Sequence, residues 1–264
     1  LFYWGDIILG ETTKLVHIDP IPGRAGRSEP TDVGIVSHCA LAIEELIRSI
    51  KPLLTPELEN EIDGRRIEVV AAAADQRRRQ GAPLSAIDGL PIALKDNINV
   101  EGLATRNGSR RLHPVAEDAA VSRKLRAAGV VILGKLNMDE CAIGGTTDNP
   151  HFGRTHNPWR RGFMPGGSSG GAASAVAAGL ACAALGTDTL GSVRLPAAYC
   201  GIVGLKATQG LIDMAGIVPV SKTPDHVVPS CRSVRAHRTL LALAAGSAPP
   251  GLSAPLPPPR VLHR

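Results

Sequence analysis

Ala181-Cys182-Ala183-Ala184-Leu185, followed by Gly186-Thr187-Asp188-Thr189-Leu190-Gly191-Ser192-Val193-Arg194-Leu195-Pro196-Ala197, is the stretch whose reading decides the fold. A short apolar run gives way to hydroxyls and glycines. Runs of this kind, bounded by turn residues, read as strands covered on both faces. The junction predicts a strand-to-helix turn. There a hydroxyl can be exposed beside backbone N–H groups able to stabilise an oxyanion. A lone Gly-Ser pair is common, so the stretch speaks to fold class before it speaks to chemistry.

Working outward, Gly170 to Leu180 predicts a small-residue helix, preceded by the loop Met164-Pro165-Gly166-Gly167-Ser168-Ser169-Gly170-Gly171. Val130-Val131-Ile132-Leu133 predicts a buried strand, and Glu117 to Ala128 a helix with acids at its start and Gly129 as its stop. Leu90-Pro91-Ile92-Ala93-Leu94-Lys95 predicts another buried strand. This β-α-β-α rhythm indicates an α/β layered domain. Further out, Ser37 to Leu54 carries a helical pattern ending near Pro52. A second helix is expected over Pro56 to Gln80, its Arg77 to Arg79 favourably placed against the C-terminal dipole. From Ser247 to Pro259 the chain is rich in proline and is expected to be disordered or polyproline-like. The expected division is an N-terminal helical segment over 1–69, a core over 70–245 and a Pro-rich tail over 246–264.

Composition narrows the function classes. Apolar residues make up 44% and aromatics only 3%, so the core must be built from Ala, Val, Leu and Ile. The net charge is +5, but Arg77-Arg78-Arg79, Arg110-Arg111 and Arg160-Arg161 are scattered and no aromatics interleave with them. Solvated surface is therefore expected rather than a nucleic-acid site. The five cysteines, Cys39, Cys141, Cys182, Cys200 and Cys231, are odd in number and widely spaced. Neither a disulfide framework nor a zinc site is indicated, and a reducing, cytoplasmic compartment is expected. No apolar run approaches the ~18 residues of a membrane span. The start at Leu1 reads as incomplete rather than as a signal peptide.

Three segments can carry chemistry. The Gly166–Gly171 loop opens a helix and could cradle a phosphate, but it lacks the lysine of a P-loop. A glycine-rich turn before a closely packed helix is the alternative. Ser192 sits at the strand-to-helix turn. Lys95 closes an apolar strand, where a lysine is usually a surface cation. Buried instead, it would be desolvated towards a neutral amine able to act as a base.

Together these segments resemble the amidase signature family of serine hydrolases, with its Ser–cis-Ser–Lys triad. The resemblance extends to Gly89–Asn97, Gly134–Glu140, Asn149–Gly153, Asn157-Pro158-Trp159 and Ala198–Lys206, and it covers about residues 70 to 245. It implies the α/β amidase-signature fold, a mixed β-sheet core covered by helices on both faces, here without the C-terminal strands that members add beyond about Ala245. By position it implies Ser192 as nucleophile, Ser168 as proton relay preceded by a cis peptide bond, and Lys95 as base. The backbone N–H groups of Thr189, Leu190, Gly191 and Ser192 would form the oxyanion hole, with Ala142 at the same substrate-binding position. Ser169, Asp188 and Arg194 would support the site. The implied activity is hydrolysis of a small-molecule amide to a carboxylic acid and ammonia or amine through an acyl-Ser192 intermediate. No cofactor or metal is expected, and a homodimer is. Two alternatives stand beside it: an amidotransferase A-type subunit supplying ammonia in a tRNA-dependent complex, and an inactive truncated fragment. His151 lies in a matching block but is read as structural, with no acid to pair with it. Asp139 and Glu140 read as a helix start. Leu190 departs from the family, many members of which have Gly there; Ala207 and Val228 are further departures.

Overall fold

The computed structural model describes residues 2–3, 15–18, 33–35, 64–113 and 115–247. The N-terminal part contains β1 (Phe2–Tyr3), β2 (Leu15–Ile18) and β3 (Val33–Ile35), which form a three-stranded sheet in that order. These three short strands stand within the 1–69 segment expected to be helical; residues 36–63 lie outside the described residues. Leu15-Val16-His17-Ile18 is a four-residue, mostly apolar run without clean alternation, too short for a strand period to stand out in sequence. Helix α1 (Gly64–Arg79) crosses the expected boundary at residue 69, and its Ile67 and Ala71 pack on Val131. The helix expected over 37–54 and the tail beyond Ser247 lie outside the described residues.

The central sheet has the order β5-β4-β8-β10-β9, built from β4 (Pro91–Lys95), β5 (Val131–Leu136), β8 (Ala183–Asp188), β9 (Val203–Gly204) and β10 (His226–Cys231). A separate two-stranded ribbon joins β6 (Asp148–Asn149) and β7 (Gly153–Arg154). Strand β4 pairs parallel with β5 and β8, while β10 pairs antiparallel with β8 and β9. The sheet is therefore mixed. Every residue of β8 and β10 is buried, as expected of strands covered on both faces. Strand β5 runs three residues past the expected Leu133. A one-residue bulge between the Ile92↔Ile132 and Leu94↔Lys135 pairings lets the ladder resume at Lys135 and Leu136.

One face of the sheet, with Ile92, Leu94, Leu185 and Val227, packs against Val121 and Leu125 of α2 (Ala120–Ala127) and Leu240 of α5 (Val234–Ala245). On the other face Ala184 meets Ala172 and Val176 of α3 (Gly170–Ala177). Helix α2 begins three residues later than the acids at Glu117 and Asp118 suggested. Asp118 Oδ1 instead accepts Glu101 N at 2.8 Å, while Ala119 N and Ala120 N donate to Asn99 O and Ala215 O, each at 3.0 Å. Those residues thus serve neighbouring segments before the helix can start. Helix α5 begins at the N-cap Ser233, whose Oγ accepts Ala236 N at 3.2 Å.

Candidate active site

The parallel strands β4 and β8 end together, β4 at Lys95 and β8 at Asp188. Carboxyl ends of parallel strands are where α/β sheets place their ligands. Three connections converge there: the Gly166–Ser169 loop entering α3, the Thr189–Val193 turn entering α4 (Arg194–Cys200), and the Asn137–Thr147 segment after β5. Glycine permits the convergence. A Cβ on Gly186 would stand 2.8 Å from Val193 Cγ2 and 2.9 Å from Ser169 Oγ, so a side chain there would push the two loops off the strand.

Lys95 is fully buried. Its Nζ lies 2.7 Å from Ser168 Oγ, 2.9 Å from Thr187 Oγ1 and 3.4 Å from Thr187 O. Burial of the amine pulls its pKa down to about 7, although the carboxylates of Asp139, Asp188 and Asp225 pull the other way. The lysine closing this strand is therefore not the surface cation that such a position usually holds. A neutral amine offers two N–H donors and one lone pair. Three contacts, two to Thr187 and one to a hydroxyl that can donate, match that set. Asn97 Nδ2 also donates to Thr187 Oγ1, at 3.0 Å.

Ser168 is fully buried and follows a cis Gly167–Ser168 peptide bond. Its neighbour Ser169 donates from N to Ser192 O at 3.0 Å and from Oγ to Thr187 O at 3.0 Å. Ser169 thereby ties the Ser168 loop to both the Ser192 turn and the end of β8. Ser192 itself is half-buried at the mouth of the turn.

The turn is shaped by Asp188, whose carboxylate is fully buried. It accepts Gly191 N at 2.9 Å, Val193 N at 3.1 Å and Arg194 N at 3.2 Å, and the Arg194 guanidinium at 3.1 and 2.9 Å. Burial works against its ionisation, yet the Arg194 guanidinium and the N–H groups of Val193 and Arg194 hold the carboxyl below its ordinary range. Lys206 Nζ donates to Thr189 O and approaches Asp188 at 3.8 Å. Thr189 Oγ1 in turn donates to Asp225 Oδ1 at 2.6 Å.

One expected donor is corrected by this network: Gly191 N donates to Asp188, so that N–H is not free to receive an oxyanion. At the expected substrate-binding position Ala142, the N–H donates to Asp139 O at 3.0 Å. Among the described residues, no hydrogen bond occupies the N–H groups of Leu190 and Ser192. Ala142 and its neighbour Cys141 both take left-handed backbone, at φ 58° and 55°. Leu190 projects outward, 91% exposed. His151 also needs correction: its Nε2 lies 2.9 Å from Glu140 Oε1, so an acid does pair with it, away from Lys95 and Ser168 in the hydrogen-bond network.

Sequence reasoning overlooked Thr187, Asn97 and Thr147 and read Asp139 only as a helix start. The signals were faint: a hydroxyl one residue from the end of β8, an amide two residues after Lys95, and acid and hydroxyl residues in the Asn137–Thr147 segment.

Comparison with known proteins places the chain in a family. A model of the family described as Amidase matches residues 57–262. The A-type subunit of the glutamyl-tRNA(Gln) amidotransferase of Chloroflexus aggregans is 47% identical over 192 residues, covering 72% of this chain and 39% of its own length. A solved structure described as an amidase superposes with a TM-score of 0.73 at 37% identity, covering 81% of this chain and 50% of that one. The native peptide amidase of Stenotrophomonas maltophilia superposes with a TM-score of 0.69 at 39% identity, covering 79% and 44%. The chain spans about two fifths of the length of that curated relative. The family match covers most of the chain, including Lys95, Ser168 and Ser192, and by it this protein belongs to the amidase family.

Proposed function

We propose that this site cleaves amides by acyl transfer through Ser192. The observation that carries the reading is a fully buried lysine whose Nζ stands 2.7 Å from Ser168 Oγ, on a loop bonded to the backbone of Ser192. In the proposed step Ser192 Oγ attacks the amide carbonyl carbon and forms the C–O bond. The Ser192 proton passes to Ser168 as the Ser168 proton passes to the lone pair of Lys95. The oxyanion accepts from the N–H groups of Leu190 and Ser192, with Thr189 beside them. Collapse breaks the C–N bond, and the relay returns a proton to the leaving nitrogen. Water then attacks the acyl-Ser192 ester by the same relay and releases the acid. Positioned proton transfer contributes typically ~10²–10⁴-fold to such a reaction, and removal of one oxyanion donor costs about 10²–10³-fold.

The test is incubation with a panel of small primary amides, with ammonia measured in solution and Ser192 followed by peptide mass spectrometry. An acyl adduct on Ser192, absent from Ser192→Ala, is expected. Turnover that survives Ser192→Ala overturns the reading.

A second reading concerns the amide. The 47% identity to an A-type amidotransferase subunit favours glutamine as the ammonia source and assembly with other subunits. Ammonia release from glutamine in preference to the other amides, accelerated by the partner subunits of the Chloroflexus aggregans enzyme, is then expected. Equal rates on unrelated amides with no response to partners would exclude it.

A further inference from the structure

Asp139 stands out among the buried polar groups that the proposed chemistry leaves unused. Its side chain is nearly buried, and its Oδ2 has no hydrogen-bond partner among the described residues. Buried, unsatisfied carboxylate oxygens are rare enough to require an explanation. Glycines close on this one from two sides. A Cβ on Gly167 would fall 2.1 Å from Oδ2, and one on Gly144 would fall 2.6 Å from Oδ1.

Apart from its carbonyl, which accepts Ala142 N within the 139–142 turn, the bonds of Asp139 lead to the Ser168 loop directly or through Thr146 and Thr147. Its N–H donates to Ser168 O at 3.3 Å. Its Oδ1 accepts Thr147 N at 2.9 Å and Thr146 Oγ1 at 3.3 Å. Thr147, fully buried, then grips the loop twice: its Oγ1 donates to Gly166 O at 2.9 Å and accepts Gly170 N at 3.0 Å. The loop is held on both sides of Ser168 by a hydroxyl whose own residue Asp139 holds.

We propose that Asp139 is a positioning residue of the site: with Thr147 it clamps the Gly166–Gly170 loop so that Ser168 meets Lys95, and its carboxylate is part of the charge that the buried amine faces. The charges acting on that amine are Asp139 from the segment after β5, Asp188 from the end of β8 and Asp225 immediately before β10. Arg194 and Lys206 are drawn onto Asp188. Of the three carboxylates, Asp188 is thus largely answered by cations, and Asp225 accepts Thr189 Oγ1, Val220 N and Ser221 N. Asp139 alone among them keeps one oxygen without a donor among the described residues.

This inference rests on the acyl-transfer reading, and its test separates the two. Lys95 would be titrated by NMR in protein carrying ¹³C-labelled lysine, and the rate of Ser192 modification by a fluorophosphonate would be followed against pH. Asp139→Asn is expected to move the Lys95 midpoint down and to slow labelling by about tenfold. Thr147→Val, which keeps the charge and removes the two loop contacts, is expected to slow labelling while leaving the midpoint in place. A Lys95 midpoint unchanged in Asp139→Asn overturns the electrostatic half of the proposal. Wild-type labelling in Thr147→Val overturns the clamp, and does so even if Asp139→Asn fails to fold. Absence of Ser192 labelling in the unaltered chain at every pH would sink acyl transfer itself, while the Lys95 titration still decides the part played by Asp139.

Discussion

At the residue scale the site depends on one buried amine. With a pKa brought down to about 7 by burial, Lys95 is neutral over most of the range above neutrality. A reaction that needs the neutral form should rise with pH through about 7 and then level off. Lys95→Met should lower the rate by ~10²–10⁴-fold and abolish that rise, read as initial rate against pH. The same amine ties stability to pH. Between about 7 and its ordinary value of 10.5 the unfolded chain binds a proton that the folded chain does not, so this group's contribution to stability increases as pH rises. Denaturant unfolding of the native chain and Lys95→Met should therefore diverge. The substituted protein should be relatively favoured at pH 6, and the native chain should recover ground by pH 9. A stability difference independent of pH would show that Lys95 is not desolvated as described.

At the element scale the informative parts are the turn after β8 and the loop before α3. Asp188 accepts three backbone N–H groups and a guanidinium with no exposure to water. Removing its charge leaves Arg194 and Lys206 without their counter-ion. Arg194 is about half exposed, so water screens its loss, and the cost comes chiefly from the backbone N–H groups left facing a neutral amide. Asp188→Asn should cost about 1–3 kcal/mol on unfolding by denaturant, and the Ser192 turn should gain protease sensitivity. The glycines supply an independent check. A Cβ on Gly171 would stand 2.3 Å from the backbone oxygen of Asn137, which cannot swing away as a side chain would. Gly171→Ala should cost roughly 1–3 kcal/mol and separate α3 from the segment after β5, measured as a fall in unfolding midpoint.

Legibility from sequence followed the same division. Strands β4 and β8 were readable because each is a short apolar run stopped by a polar residue, and Lys95 and Ser192 sit at or just beyond those stops. The Ser168 loop was readable from its glycines, and the triad assignment from its resemblance to family text. What sequence did not reveal was how the loops hold one another. Thr187 meets Lys95 across 92 residues of chain, and Thr147 meets Gly166 and Gly170 across 19 and 23. Such contacts leave no period or local motif. The expectation of Gly191 as a free donor failed for the same reason, since a backbone N–H shows its partner only in three dimensions. The late start of α2 and the small N-terminal sheet reflect pairings between distant segments as well.

At the scale of the whole molecule, large apolar side chains stand exposed on the loops that meet at the site. Leu190 is 91% exposed in the turn before Ser192, and Ile143 75% in the Asn137–Thr147 segment. Exposed apolar side chains of this kind can line a ligand groove or an interaction site. Replacing Leu190 and Ile143 together by Asn should reduce binding of the dye ANS without altering the far-ultraviolet circular dichroism. Unchanged dye binding would place the apolar surface elsewhere.

The central claim is that Lys95 activates Ser192 through Ser168. Its most direct measurement is the rate of fluorophosphonate modification at Ser192, followed by mass spectrometry as a function of pH. Labelling on Ser192 should rise through about pH 7, vanish in Ser192→Ala, and lose its pH dependence in Lys95→Met. Labelling that is indifferent to Lys95, or that falls on another residue, would contradict it.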